Sequence, residues 1–230
     1  MLSAEALLQV WERGQRCHLA DRSLQLLAYA LPGRDRDALA GVDLSQRDWH
    51  LLQLRRQWFG SALAGCADCP ACSERMEIDL DAEAIAGECP AEAPAFVSRS
   101  GRRFRLPTVG DLVAVAGIDG NSATHRLFER CSLDDPPHDD LPAIFDEVDA
   151  GLASLADERG IFLNLSCTRC GAPSRHALDP AEYLWNEIST AATALLEEVH
   201  RLAWAYGWSE RDILAMGPVR RHTYLNRIEA

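Results

Sequence analysis

Cys69-Pro70-Ala71-Cys72 and Cys167-Thr168-Arg169-Cys170 are two short cysteine pairs on either side of a long intervening segment, each bordered by residues that alternate apolar and polar. A C-x-x-C spacing lets two sulfurs reach one metal from a tight turn, and Gly171 suits the strained backbone of the second turn. This is the pattern of a tetrahedral four-thiolate zinc site whose halves come from separate β-hairpins. It sets the expected fold class: α+β, mostly α-helical, with helices flanking a split four-cysteine zinc ribbon made of two β-hairpins, and an inserted hairpin-plus-helices block. Cys69, Cys72, Cys167 and Cys170 are the expected ligands of a structural Zn2+. With every position filled by protein no place remains for an activated water, so such a site builds a fold rather than a reaction.

The first half-site has an alternative reading, because Cys66 stands three residues before Cys69 and Cys66-x-x-Cys69 could ligate with Cys72 spare. Pro70 inside the turn, followed by a strand, favours Cys69 and Cys72. Cys89 and His176 are weaker substitutes. Cys17 and Cys131 fall within helical patterns and read as small apolar fillers. Neither pair has the βαβ setting of a redox C-x-x-C motif.

With 230 residues and 47% hydrophobic content, the chain can bury a substantial core. The N-terminus (MLSAEALLQVWERG) reads directly into an amphipathic helix rather than a signal peptide, which with the cysteine clustering points to the cytoplasm. No apolar run approaches the ~20 residues of a membrane-spanning helix. A formal charge of −12 repels phosphates. Arg102, Arg103 and Arg105 are the dense basic stretch on which a zinc-ribbon nucleic-acid module, the alternative reading, would rest; a solvated hairpin face is the expected role.

Periodicity and capping signals divide the chain into an N-terminal helical region (1–65), a first zinc-knuckle hairpin (66–90), an inserted β-hairpin with helices (91–160), a second knuckle hairpin (161–179) and C-terminal helices (180–230). Ser3 caps a helix carrying Leu7, Leu8, Val10 and Trp11. A second helix with Leu24, Leu26, Leu27 and Leu31 stops at Pro32-Gly33. Ser45 with Asp48 resembles a capping box for a longer helix through Trp58. Met76, Ile78 and Leu80 alternate with charges as in a half-buried strand, and 82–95 reads as a connector.

A hairpin is expected over Phe96–Arg99 and Arg102–Leu106, turning at Ser100-Gly101. Thr108 with Asp111 then starts a short helix, and another covers Ser122–Cys131. Asp134–Asp140 is an acidic loop, and Asp140 with Pro142 opens a helix with Ile144, Phe145, Val148, Leu152 and Leu155 on its apolar face. Strands Ile161–Ser166 and Ser174–Leu178 flank the second knuckle. Asp179-Pro180 caps a long helix that ends near Gly207, and two short helices follow.

Enzyme signatures are missing: there is no H-E-x-x-H, no phosphate-cradling glycine loop, no G-x-S-x-G elbow and no dinucleotide fingerprint. Glu197, Glu198 and His200 read as a solvated helix face. Trp204, Tyr206 and Trp208 read as core or as an interface anchor. An enzyme would need an open metal position, so none is expected.

Several phrases carry a family resemblance: ALLQVWERG, DRSLQLLAYALPG, FRLPTVGDLVAVAG, RCSL, SCTRCG and YLWNEI…LLEEVHRLAWAYGWSERDILAM. Together they cover most of the chain, and FRLPTVGDL and AYGWSERDIL are the most specific. The chain resembles the small zinc-knuckle baseplate proteins of contractile phage tails and phage-like injection systems, related to the T-even-type baseplate hub assembly chaperones. The resemblance implies a structural or assembly protein whose partners are baseplate or hub proteins, with no small-molecule substrate, nucleic acid or membrane. It implies no catalytic residues. It also implies a place in the host cytoplasm during assembly, whether or not the protein stays in the finished particle. The extra Cys66 departs from the family pattern.

Overall fold

The computed structural model describes residues 2–134 and 141–228. The fold is α+β and mostly helical, with three two-stranded antiparallel hairpins. The chain forms two compact units, residues 18–182 and residues 1–17 together with 183–230.

In the larger unit, α2 (Leu19–Ala30) buries Leu24, Leu26 and Leu27, and α4 (Leu44–Phe59) buries Leu51, Leu52 and Leu54. The short α3 (Arg36–Ala40) lies between them in sequence, capped by Asp35. The cap of α4 is Asp43, not Ser45. The Asp43 carboxylate accepts from the Gln46 N–H at 3.0 Å and from the Ser45 hydroxyl at 2.5 Å, so the neighbouring serine serves the acid that caps.

Helix α4 ends at Gly60, and the first hairpin begins at once with β1 (Ala62–Asp68) paired to β2 (Arg75–Asp81), Ala62 opposite Asp81 and Asp68 opposite Arg75. Strand structure therefore starts before residue 66, inside the stretch read as helical. The expected connector contains a one-turn helix, α5 (Ala82–Ala86), whose first turn is capped by Asp81. The remainder is pinned by side chains that donate to its carbonyls: Trp49 Nε1 to Gly87 at 3.2 Å, Gln46 Nε2 to Pro90 at 3.2 Å, and Arg159 to Ala91.

The inserted hairpin is shorter than expected, with β3 (Phe96–Val97) paired to β4 (Arg103–Phe104). Beyond it the Arg105 N–H donates to the Cys131 carbonyl and the Leu133 N–H to the Arg103 carbonyl, both at 2.9 Å. The end of α7 (Gly120–Cys131) is thus drawn onto the hairpin. Phe104, Leu106, Phe128, Cys131, Val148 and Leu152 form the core of this block, closed by α8 (Leu141–Arg159). Gly151 lets α8 come close, since a Cβ there would stand 2.3 Å from the Phe96 ring. The predicted acidic loop lies outside the described residues except for Asp134, as does Asp140 at the predicted start of the next helix.

Helix α6 (Val109–Val115) opens with the expected capping box, Thr108 and Asp111 each bonding the other's backbone. The second knuckle lies between β5 (Phe162–Ser166) and β6 (Pro173–Ala177). Asp179 then accepts from the Ala181 N–H at 2.9 Å to cap α9 (Pro180–Tyr206).

In the smaller unit, α1 (Ala4–Gly14) packs Leu8 with Ala192 and Leu195 of α9. Leu202 and Val199 of α9 pack with Ile213 of α10 (Glu210–Leu214) and Leu225 of α11 (Pro218–Ile228). Tyr206 stacks on Trp208 with ring centroids 4.5 Å apart, while Trp204 is 86% exposed and so is not a core residue. Glu198 is not a free surface carboxylate, because it accepts from Nε of the buried Arg221 at 2.8 Å. No helix among the described residues is long and apolar enough to cross a membrane.

Candidate metal centre

The two knuckles have the same backbone. In the first, the Cys69 N–H donates to the Glu74 carbonyl and the Ser73 N–H to the Cys69 carbonyl, both at 2.8 Å. In the second, the Cys167 N–H donates to the Ala172 carbonyl at 3.0 Å and the Gly171 N–H to the Cys167 carbonyl at 2.9 Å. The fifth residue of each turn is left-handed, with φ of +57° at Ser73 and +72° at Gly171. Such a turn points both cysteine side chains of a C-x-x-C to one side, and the antiparallel strands on either side hold it in place.

The two turns face each other. The sulfurs of Cys69, Cys72, Cys167 and Cys170 all lie within 4.8 Å of one another, and among the described residues this is the cluster able to hold a metal ion. Two edges cross between the knuckles, Cys69 to Cys170 and Cys72 to Cys167, each 3.7 Å. A tetrahedron of metal–sulfur bonds of about 2.3 Å has edges of about 3.8 Å, so the donor set fits a tetrahedral thiophilic ion. Cys69 and Cys167 are buried, packed with Met76 and bordered by Ala67, Leu165 and Ala172, whereas Cys170 is exposed. Across the outside of the site Arg169 donates to Glu74 at 3.1 Å, a second tie between the knuckles that the sequence did not suggest.

Two of the site's thiols differ in their electrostatics. The Cys170 backbone N–H aimed at the Cys167 sulfur, aided by the Arg169 N–H, overcomes burial and holds that thiol down to about 6. At Cys72 the Glu74 N–H also favours the thiolate, but the sulfurs of Cys170, Cys167 and Cys69, together with burial, push the thiol up to about 12. Neighbouring groups thus hold Cys167 toward the thiolate against burial, and together with burial hold Cys72 toward the protonated thiol. A bound cation favours the thiolate form of its ligands, which is how metal binding and proton release are linked.

The structure does not bring the substitute ligands here. Cys66 is exposed on β1, one residue out of phase with Ala67, which borders the thiol cluster, and its sulfur accepts from Arg75 Nη2 at 2.8 Å. Cys89 is exposed in the connector. His176 on β6 shares a 2.9 Å hydrogen bond with the Ser174 hydroxyl. Cys131 is buried in the core of the inserted block, where burial pushes its thiol up to about 12, and Cys17 donates to the Arg13 carbonyl at 3.2 Å.

The arginine stretch is a solvated face only in part: Arg103 is exposed, Arg105 is half-buried and Arg102 is buried. Arg102 is buried within 4.0 Å of Asp134, and Arg103 lies 3.6 Å from the same carboxylate. Arg105 donates two hydrogen bonds to Asp111, which also accepts from Arg130 Nε at 2.9 Å and from the Thr108 N–H and hydroxyl at 2.9 and 3.0 Å. Asp111 is 1% exposed. Burial alone would raise its carboxyl, but Arg105 and the Thr108 N–H hold it below the usual carboxylate range. The capping box was legible in the sequence, but its second use as an anchor for two arginines was not.

No family model matches this chain, and no curated protein or solved structure matches it.

Proposed function

We propose that this protein is a structural or assembly factor of a contractile-tail baseplate or hub, acting through protein–protein contacts, with Zn2+ bound by Cys69, Cys72, Cys167 and Cys170 as a structural staple. The observation that carries the reading is the closed donor set. Four protein thiols within 4.8 Å of one another fill a tetrahedron, and Cys66, Cys89 and His176 stand elsewhere. Zinc is the ion whose bond length and ligand preference this set matches, and a closed site supports a non-catalytic role. Zinc in this role locks one hairpin's position against the other and so presents fixed helical surfaces to partners.

The baseplate assignment is supported by the sequence phrases FRLPTVGDL and AYGWSERDIL. Trp204, 86% exposed on a long helix, is the type of residue that anchors protein interfaces. Arg102, Arg103 and Arg105, which a nucleic-acid module would use, are engaged by Asp134 and Asp111. Assembly takes place in the cytoplasm of the host in this reading.

Contractile particles produced with the gene deleted test the proposal. Loss of complete baseplates, together with co-purification of the protein with hub or wedge components in the wild type, is expected. Normal particles from the deletion would contradict it.

A further inference from the structure

The smaller unit carries two surfaces that match in charge, spacing and chemistry. One is a groove of about 1000 Å3 between α1 and α10. Along α1 it is lined by Glu5, Leu8, Gln9 and Glu12, the i, i+3, i+4, i+7 stripe of one helix face, and across from them by Glu210, Leu214 and a single basic residue, Arg211, so the charged lining is three glutamates to one arginine. Leu8 and Leu214 give an apolar floor and the glutamates an acidic rim. None of Glu5, Glu12 and Glu210 has an ion-pair partner among the described residues.

The other surface is the outer face of α11. Across 218–228 this helix has three arginines and no carboxylate, in a chain of net charge −12. Arg221 turns inward to Glu198, and Leu225 packs into the core, which leaves Val219 (80% exposed), Arg220, Thr223 and Arg227 on one outward stripe. Arg220 and Arg227 are seven residues apart, as are Glu5 and Glu12. On a helix that spacing is about 10.5 Å, so the two charge pairs can meet in register while Val219 and Thr223 lie over the apolar floor.

We infer that copies of this chain associate head to tail, the α1/α10 groove of one copy receiving the outer face of α11 of the next. A copy cannot fill its own groove in this way, because the outer face of α11 is directed away from the core on which the helix packs. The two surfaces are different, so the contact is heterologous and generates rings or open chains. The occupant is a second copy rather than a foreign basic helix because the complementary partner is present in the same sequence at matching spacing. This inference does not rest on the baseplate reading.

Sedimentation of the full zinc-loaded chain over a dilution series tests it. Mass should rise with concentration at low salt, and the association constant should fall about tenfold or more on raising ionic strength. Glu5→Lys/Glu12→Lys sets lysines against arginines, and Arg220→Glu/Arg227→Glu sets glutamates against glutamates. Each variant alone should associate about tenfold or more weakly than wild type, and an equimolar mixture of the two should regain association, because both kinds of contact are then between opposite charges. A chain that stays monomeric throughout, association that ignores either double variant, or a mixture that fails to regain it would overturn the inference.

Discussion

Two nodes in the larger unit join segments far apart in sequence, and they do so with opposite electrostatics. At Asp111 one buried carboxylate is surrounded by the guanidinium groups of Arg105 and Arg130 and by the N–H and hydroxyl of Thr108, so the chain itself provides the countercharge. At the two knuckles the chain provides four sulfurs that would be anions and no cation among them. The first node is complete as folded. The second is a donor set able to hold a cation, and under the proposed function Zn2+ supplies the countercharge there, so that the pairing of the two knuckles depends on metal in a way that the inserted block does not.

The largest effect should come from breaking the thiol node. Structural zinc contributes on the order of 10 kcal/mol of apparent folding free energy, comparable with the net stability of a whole domain. Cys167→Ser should therefore abolish stoichiometric zinc and sharply lower the melting temperature, while Cys17→Ser leaves zinc content at the wild-type level. Elemental analysis with calorimetry checks both, and equal metal content in the two variants would remove the distinction on which the comparison depends.

Asp111→Asn should come next, at about 2–3 kcal/mol, the scale for leaving two partly exposed guanidinium groups without their buried partner. Zinc content should be unchanged. Because the folded carboxyl sits below its unfolded value of about 4, its contribution is complete above that pH and is lost as pH falls through the lower folded value. The stability gap between wild type and Asp111→Asn, from denaturant titrations, should therefore narrow in acid.

A second carboxylate should show the opposite sign. Asp48 is raised to about 6 by burial, which the adjacent Arg47, shared with Asp179, only partly offsets. Its folded form holds a proton that the unfolded chain has lost between about pH 4 and 6, so this group adds stability as pH falls through that window. Asp48→Asn should flatten the pH dependence there, and an unchanged slope would contradict the assignment.

The smallest effects should separate one knuckle from the other. Gly171 takes its positive φ without steric cost, whereas Ser73 pays for the same conformation with its Cβ. Gly171→Ala should cost about 1 kcal/mol. Ser73→Gly should be near neutral or slightly stabilising, since the relief is offset by the added freedom of the unfolded chain. Denaturant midpoints of the zinc-loaded variants measure the asymmetry.

What could be read from the sequence depended on whether the information was local. The cysteine pairs, the Thr108/Asp111 box and the Asp179 cap are short-range patterns, and the structure contains each of them. The start of strand β1, ahead of the expected hairpin at 66, leaves no local mark because Ala62–Asp68 has no β-branched or aromatic residue; it is a strand because β2 pairs with it. Asp43 and Ser45 are both good caps two residues apart, and only the folded geometry shows which one bonds the helix. Arg102 reads as surface because Asp134, which stands beside it and Arg103, lies far along the chain, and Arg105 does so because Asp111, although near in sequence, already has a local role in the capping box. Gly151 gave no signal, since its need comes from Phe96 across the block.

The decisive measurement is metal content and thermal stability on one purified sample before and after treatment with a strong chelator. One zinc per chain, with a large fall in melting temperature on its removal and recovery on adding it back, is the predicted result. A protein that carries no metal and melts at the same temperature with or without chelator would contradict the account.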